Sequence, residues 1–392
     1  VRKSGNRVRV TAQLIDASQD RQLWSESYDR DLTDIFVIQE EIANSIVNAL
    51  RAELGLAALE GSVHVEQATT DMSAYDLYLR AYARFIDRDE LDVSVRLAEE
   101  AVETDPGYAK AWELLAAVAN VAPGWGHTDR DYRGIAHHAA KTAIGLNEGR
   151  SMAWAVIGSL AASDSNPDIA AGIDYLTRAI NEDSKNASAW LWRGLEYSRL
   201  GFFDAAARDI SSCLDVDPAY LLCIYHLGLV ESLRGHPQVL RDRAEQMLSF
   251  GFDHHIDQHT LFLGAQGDYL SARLMSRLMP PHPDFPREEF LHALRSPAGD
   301  HIEGVQKAEV WLKQDDRVGA SAMLFFAFRA WDRLTHDDGA WQHWIWSPLH
   351  RDFRQSKDFK RLVRSLGLDR YWRAHEFPPQ CWPIDSVEFE CK

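Results

Sequence analysis

The chain contains no run of about 18 apolar residues, so no segment of it crosses a membrane as a helix. A secretory signal pattern is missing as well. There is no Cys-x-x-Cys pair, which removes the usual structural zinc site. The phosphate-cradling G-x-x-x-x-G-K-[ST], the nucleophile turn G-x-S-x-G and the zinc-binding H-E-x-x-H are all absent. Basic residues are scarce beside acidic ones, 42 against 59, for a formal net charge of −17. Phosphate binding needs basic surface, so nucleic acid is excluded as a general partner. The acidic excess suits a self-repelling surface.

Cysteine is rare too, at four residues. Cys213 and Cys223 fall inside apolar helical patterns and read as free, buried thiols. Cys381 and Cys391 lie in an irregular tail. They can form a disulfide in an oxidising compartment, although spacing alone does not pair them.

What is present is material for packing. Of 392 residues, 46% are hydrophobic. That allows a sizeable core and about two or three domains. The start, VRKSGNRVRV, lacks Met and opens within a strand pattern, so the sequence reads as a piece of a longer polypeptide. Over residues 7–16, Val8, Val10, Ala12 and Leu14 share one face and Arg7, Arg9, Thr11 and Gln13 the other. That period predicts a half-buried strand. The turn signal Ser4-Gly5-Asn6 makes Val1–Lys3 the end of a partner strand. QLWSESYD supplies a further strand. A helix follows, started by Asp34, carried by Ile35, Ile38, Ile42, Ile46 and Leu50, and stopped by Gly55. Residues 1–55 therefore form a small, incomplete α/β unit. Residues 56–74 have mixed polarity and no period, as a linker does.

From Tyr75 the pattern is helical and repeats itself. Trp190, Gly194 and Gly201 recur as Ile224, Gly228 and Gly235, each 34 residues on. Trp154 with Gly158 makes the same pair 36 residues earlier, Trp112 with Ala116 another 42 before that, and Tyr78 with Tyr82 34 before Trp112. In the second half of each unit, Ala98 and Ala101 precede Asp105-Pro106, Ala179 precedes Asp183-Ser184, and Cys213 precedes Asp217-Pro218. A small residue lets two helices approach, an aromatic one fills the gap to the next pair, and Pro stops the second helix. One such pair cannot bury its apolar face alone, but a stack can.

This pattern resembles the tetratricopeptide repeat, a helix–turn–helix unit. Units fall at 75–108, 109–150, 151–186, 187–220 and 221–254, the second with an insertion, PGWGHTDRDYRG, and the fifth degraded. The expected fold is mainly α: a tetratricopeptide-type α-solenoid over 75–254, preceded by the α/β unit. Degenerate helical repeats follow over 255–346, with the rigid break PPHPDFP at 280–286. A cap helix and tail occupy 347–392. The cap helix spans 356–366, with Phe359, Leu362, Val363 and Leu366 on one side and Gly367 as its stop.

Residues 1–55, through GNRVRVTAQLIDA and LWSESYDRDLTDIFVIQEEIA, resemble the end of the TolB-like amino-terminal domain of bacterial signalling proteins. DFKRLVRSLGLDRYWRA, followed by Cys381, is similar to the end of the same proteins. In that family the domain precedes tetratricopeptide repeats and follows a class III adenylate cyclase domain or a winged-helix domain. The resemblance implies a non-catalytic part of a longer regulator, with an output domain upstream in the same polypeptide. It places the chain in the cytoplasm or periplasm according to an upstream membrane helix. Nothing here resembles a cyclase catalytic domain.

Other groupings have bland readings. Asp253, His255 and His259 can meet a metal, but Gly251 makes a polar loop the default. His137 and His138 are adjacent in a helix and point apart. WQHWIW at 341–346 reads as an anchor for the cap, with an aromatic binding patch as the alternative. Lys357, Lys360, Arg361 and Arg364 form a basic face suited to solvent, with acidic lipid or a partner as the alternative.

Stacked pairs curve, and their first helices line the concave side. The resemblance assigns groove positions to Ser188, Leu191, Trp192, Leu195, Ser198 and Arg199 in the fourth unit. In the fifth it assigns Leu222, Tyr225, His226, Leu229 and Ser232. Trp190 and Gly194 recur and are packing positions. Trp192 varies between units and is a recognition candidate. An apolar, aromatic groove with one cation suits an extended peptide or a helix of a protein partner. The competing occupant is the chain's own C-terminal helices. The expected function is a non-enzymatic interaction and sensory scaffold without metal or cofactor. The alternatives are a metal-dependent enzyme using the histidine-rich region 236–301, and a homo-oligomerisation module pairing the open strand edge of 1–28.

Overall fold

The computed structural model describes residues 2–4, 7–16, 20–31, 35–53, 69–88, 90–163, 166–250, 263–264, 267–278, 285–313, 320–334 and 344–392. They fall into two compact units, Val1–Thr70 and Asp71–Lys392.

In the first unit, β1 (Arg2–Ser4), β2 (Arg7–Asp16) and β3 (Arg21–Asp31) form an antiparallel sheet in that order. The alternation in β2 holds: Val8 is buried, and Val10, Ala12 and Leu14 are half-buried, while their neighbours face water. Val10 lies opposite Tyr28, itself buried. On the other face Arg9 Nε donates to Asp29 at 3.2 Å, and the Thr11 and Ser27 hydroxyls meet at 2.9 Å. Helix α1 (Ile35–Glu53) packs on β3 and β2. The outer edge of β3 has no strand partner among the described residues. Its charged residues, Arg21, Glu26, Asp29, Arg30 and Asp31, work against edge pairing. Asp34, Gly55 and residues 56–68 of the linker lie outside the described residues.

The second unit opens with helix pairs: α2 (Met72–Asp87) with α3 (Leu91–Thr104), α4 (Ala109–Val121) with α5 (Tyr132–Leu146), and α6 (Ser151–Ala162) with α7 (Ile169–Glu182). Then come α8 (Ala187–Leu200) with α9 (Phe203–Val216) and α10 (Leu221–Leu233) with α11 (Pro237–Ser249). The first helices also pack on one another, α4 on α6 and α6 on α8. This is an α-solenoid of the tetratricopeptide type.

The repeated residues make repeated contacts. The indole N–H of Trp112 donates to the Pro106 carbonyl at 2.9 Å, that of Trp154 to Glu148 at 2.8 Å, and that of Trp190 to Ser184 at 2.9 Å. Each tryptophan thus ties its helix to the turn that precedes it. The glycines mark close helix approach. A Cβ on Gly158 would sit 2.8 Å from the Gly172 carbonyl oxygen, and one on Gly194 would sit 2.7 Å from Ile210 Cγ1. In the first pair the approach falls on Ala81, whose carbonyl accepts the Ser94 hydroxyl at 2.8 Å. Tyr82, which the period aligns with the small residue, points outward instead. Of the insertion in the second unit, Pro123–Trp125 lie in a 3-10 turn that starts at Ala122, and Tyr132–Gly134 form the first turn of α5 rather than a connection between the helices.

One expectation fails here. Cys213 and Cys223 are not free thiols; they are joined as a disulfide, Cα to Cα 6.3 Å. Cys213 is in the last turn of α9 and Cys223 in the first turn of α10, so the turn between them folds one onto the other. Cys381 and Cys391 are joined as well, opposite each other in the hairpin of β4 (Cys381–Pro383) and β5 (Phe389–Cys391).

Further helices follow at Tyr269–Met275, Arg287–Arg295, Ile302–Leu312 and Ala320–Ala327, then a terminal module from residue 344. The cap helix spans Lys357–Ser365, with the Ser356 hydroxyl accepting the Phe359 N–H at 3.1 Å. Phe359, Leu362 and Val363 are buried as the pattern predicts. Gly367, at φ 69°, ends the cap helix as the pattern predicts, and a second helix, Leu368–Ala374, starts directly after it. Three of the basic residues are bound within the protein: Lys360 Nζ and Arg364 Nη2 each donate to Glu388 at 2.7 Å, and Arg361 Nη2 donates to the Trp331 carbonyl at 3.1 Å and pairs with Asp358 at 3.4 Å. Of the PPHPDFP break, residues 280–284 lie outside the described residues, as do 341–343 of WQHWIW.

Candidate functional site

The terminal module docks on the turns that join the two helices of the third and fourth pairs. Trp346 donates its indole N–H to the Arg199 carbonyl at 3.1 Å, and Trp372 to the Leu200 carbonyl at 3.1 Å. Gln380 reaches the Gly201 carbonyl at 3.0 Å. Arg370 binds Asn166 Oδ1 at 3.2 Å and the Pro167 carbonyl. This end of the stack is covered by the chain itself.

Among the described residues the opposite end of the first helices is open. There the starts of α6, α8 and α10 and the end of α2 surround a cavity of about 750 Å³. The ring closes where Arg88 Nη2 donates to the Tyr220 hydroxyl at 3.3 Å, across 132 residues of sequence. The same hydroxyl meets Ser188 Oγ at 3.0 Å. Tyr82 (44% exposed) and Ile86 (55% exposed) present apolar surface to the cavity, with Met152, Val216 and Leu222 among the other walls. Tyr82 stacks on Tyr78 at 6.0 Å, which sets the outward direction of its ring.

Glu113, alone as an acid in the apolar helix AKAWELLAAVANV, also lines the cavity. Its Oε1 accepts the Met152 N–H at 2.8 Å, so it caps α6, whose own N-cap residue Arg150 makes no side-chain cap. Arg150 lies 3.7 Å from Oε2. Burial pushes the Glu113 carboxyl up from its ordinary value, against the opposing pull of Arg150. At the rim, Asp183 Oδ1 accepts the Lys185 N–H at 2.9 Å and Asp217 Oδ1 accepts the Ala219 N–H at 3.0 Å.

The residues expected in the groove are distributed unevenly. Ser188 and Leu222 line the cavity. Leu191 is buried in the core between the fourth and fifth pairs, with Trp192 and Leu195 half-buried against it. Ser198 and Arg199 are buried, and Arg199 is paired with Glu196 and bonded to the Ala162 carbonyl at 2.9 Å. Tyr225 and Leu229 are fully buried in the cluster that includes Trp346 and Phe359, with His226 half-buried edge-on to Tyr225. Ser232 is buried. Tyr82, Ile86, Arg88, Glu113 and Tyr220 were not singled out by the groove pattern. Glu113 alone carried a sequence signal, as a carboxylate in an apolar run.

A second cavity, of about 1060 Å³, opens between α9 and the terminal module. Its charges are largely paired internally: Arg193 binds both Asp209 oxygens, at 2.7 and 2.9 Å, and Arg234 binds Asp204 at 2.8 Å. In the histidine-rich region, His236 pairs with Glu231 at 2.6 Å and His292 meets His301 edge-on, ring centres 6.0 Å apart. Among the described residues no group of three or more His, Cys, Asp or Glu side chains is placed to hold a metal. Asp253, His255 and His259 lie outside the described residues.

No family model matches the chain. Over 121 residues it is 38% identical to "Putative adenylate cyclase 3" of Rhizobium meliloti (strain 1021), a match covering 30% of this chain and 20% of that protein. The chain thus spans about a fifth of the length of that relative. Among solved structures, yeast Tom70 is similar over 81% of this chain and 67% of that one, with 14% identity and a TM-score of 0.44. MamA is similar over 43% of this chain and 92% of that one, with 19% identity and a TM-score of 0.30. The fold assignment rests on the helix pairs themselves.

Proposed function

We propose that the chain is a non-catalytic interaction module that takes a short segment of a protein partner into the cavity between α2 and the starts of α6, α8 and α10. One observation carries this reading. A cavity of about 750 Å³ has exposed apolar side chains, Tyr82 and Ile86, on a wall closed by the Arg88–Tyr220 contact. That size and lining match recognition pockets, which combine apolar walls with a few fixed polar groups. The terminal module covers the other end of α6 and α8, so partner binding and module docking share the same helices. The partial similarity to a protein named as an adenylate cyclase favours an output domain elsewhere in a longer polypeptide, with these repeats reporting partner binding to it.

Selection of short peptides displayed on phage tests the reading. Enrichment on the wild-type chain and its loss on Tyr82→Ala/Ile86→Ser supports it. Enrichment that survives the double substitution, or none on either protein, overturns it.

A further inference from the structure

Building on that reading, we infer that the segment received by the cavity is a basic, apolar peptide of a partner protein. The charge at the cavity mouth points to it. Asp87, Asp183 and Asp217 are exposed there, three carboxylates against the two cations Lys185 and Arg88. Arg88 is turned to the Tyr220 hydroxyl and the Phe85 carbonyl, which fix its direction without neutralising it, and Glu113 is matched by Arg150.

The rim carboxylates have a structural task, closing the turn before the next repeat, but that task does not need charge. Asn147 performs it in the second repeat, accepting the Gly149 N–H at 2.9 Å, as Asp183 and Asp217 do for Lys185 and Ala219 at 2.9 and 3.0 Å. The negative charge at 183 and 217 is therefore additional to the turn. It lies beside apolar and aromatic walls, Tyr82, Ile86, Leu221 and Leu222. Aromatic faces and carboxylates both favour a cation, and apolar walls favour the stem that carries it. Arginine and lysine side chains next to leucine or phenylalanine satisfy all three. The acidic excess of the whole chain, −17, works in the same direction by steering a cationic segment inward.

The test uses the full chain and fluorescent short-peptide pools with a core randomised over leucine, isoleucine, phenylalanine and tryptophan. Flanking positions are arginine, glutamine or glutamate. Exposed charge pairs are individually weak, so the arginine-flanked pool should bind about tenfold tighter than the glutamate-flanked one, the difference shrinking with added salt. Asp183→Asn/Asp217→Asn, which keeps both turn acceptors, should reduce that ratio to about threefold or less and leave the glutamine-flanked pool unchanged. Equal affinity for the three pools, or preference for glutamate, overturns the basic-peptide inference while the docking reading stands. Failure of every pool to bind overturns both.

Discussion

Cys213 and Cys223 are joined across the turn between α9 and α10, and the stretch they bracket supplies Val216, Asp217, Ala219, Tyr220, Leu221 and Leu222 to the cavity. The bridge therefore braces one wall of the candidate site. Both cysteines are buried in the core of the fourth and fifth pairs.

Two disulfides and no free cysteine predict a protein that matures in an oxidising environment. Thiol titration of denatured, non-reduced protein from an oxidising compartment should find no free thiol. Cys213→Ser/Cys223→Ser should lower unfolding free energy by about 2–4 kcal/mol in urea titration. Titration of all four cysteines in the denatured, non-reduced protein would contradict the pairing.

Gly194 and Gly145 should respond oppositely to alanine. A methyl at 194 meets Ile210 Cγ1 at 2.7 Å and the Ala206 carbonyl at 3.2 Å, so Gly194→Ala should cost about 1–3 kcal/mol. At Gly145, within α5, no neighbouring element among the described residues lies within 4 Å of the added carbon. Gly145→Ala should gain up to about 1 kcal/mol, since glycine is a poor helix residue. Thermal melts of the two variants decide it, and equal effects would refute the close approach.

His350 predicts an acid sensitivity of the terminal module. It is buried against Phe326, and burial, followed by the Arg354 and Arg329 charges, lowers its pKa from 6.5 to about 3. The folded state thus holds the neutral ring, and the unfolded chain binds the proton first. Its contribution is fully present above pH 6.5 and is lost as pH falls from there toward 3. The stability difference between wild type and His350→Leu should shift in favour of the variant across that window. A difference independent of pH would contradict the assignment.

The periodic residues could be read in advance because each performs a local task. Trp112, Trp154 and Trp190 each bind a carbonyl six residues earlier in the chain, and the glycine four residues after Trp154 or Trp190 faces its own partner helix. Features made by distant residues left no such mark. Arg88 meets Tyr220, and Trp346 meets Arg199, only because the stack curves and the tail returns. The Cys213 bridge was hidden because each cysteine fits its own helix as a small apolar residue. Gly367 is legible as the end of the cap helix, but the helix Leu368–Ala374 after it is not, because a left-handed glycine ends a helix whatever follows.

The cavity claim is tested most directly by locating a bound peptide. A basic, apolar peptide carrying a photoreactive group should cross-link, after digestion and mass spectrometry, to the end of α2 around Tyr82 and Ile86 and to residues 216–222. Cross-links confined to Phe202, Arg208 and Tyr371 around the second cavity, or none above background, would contradict the account.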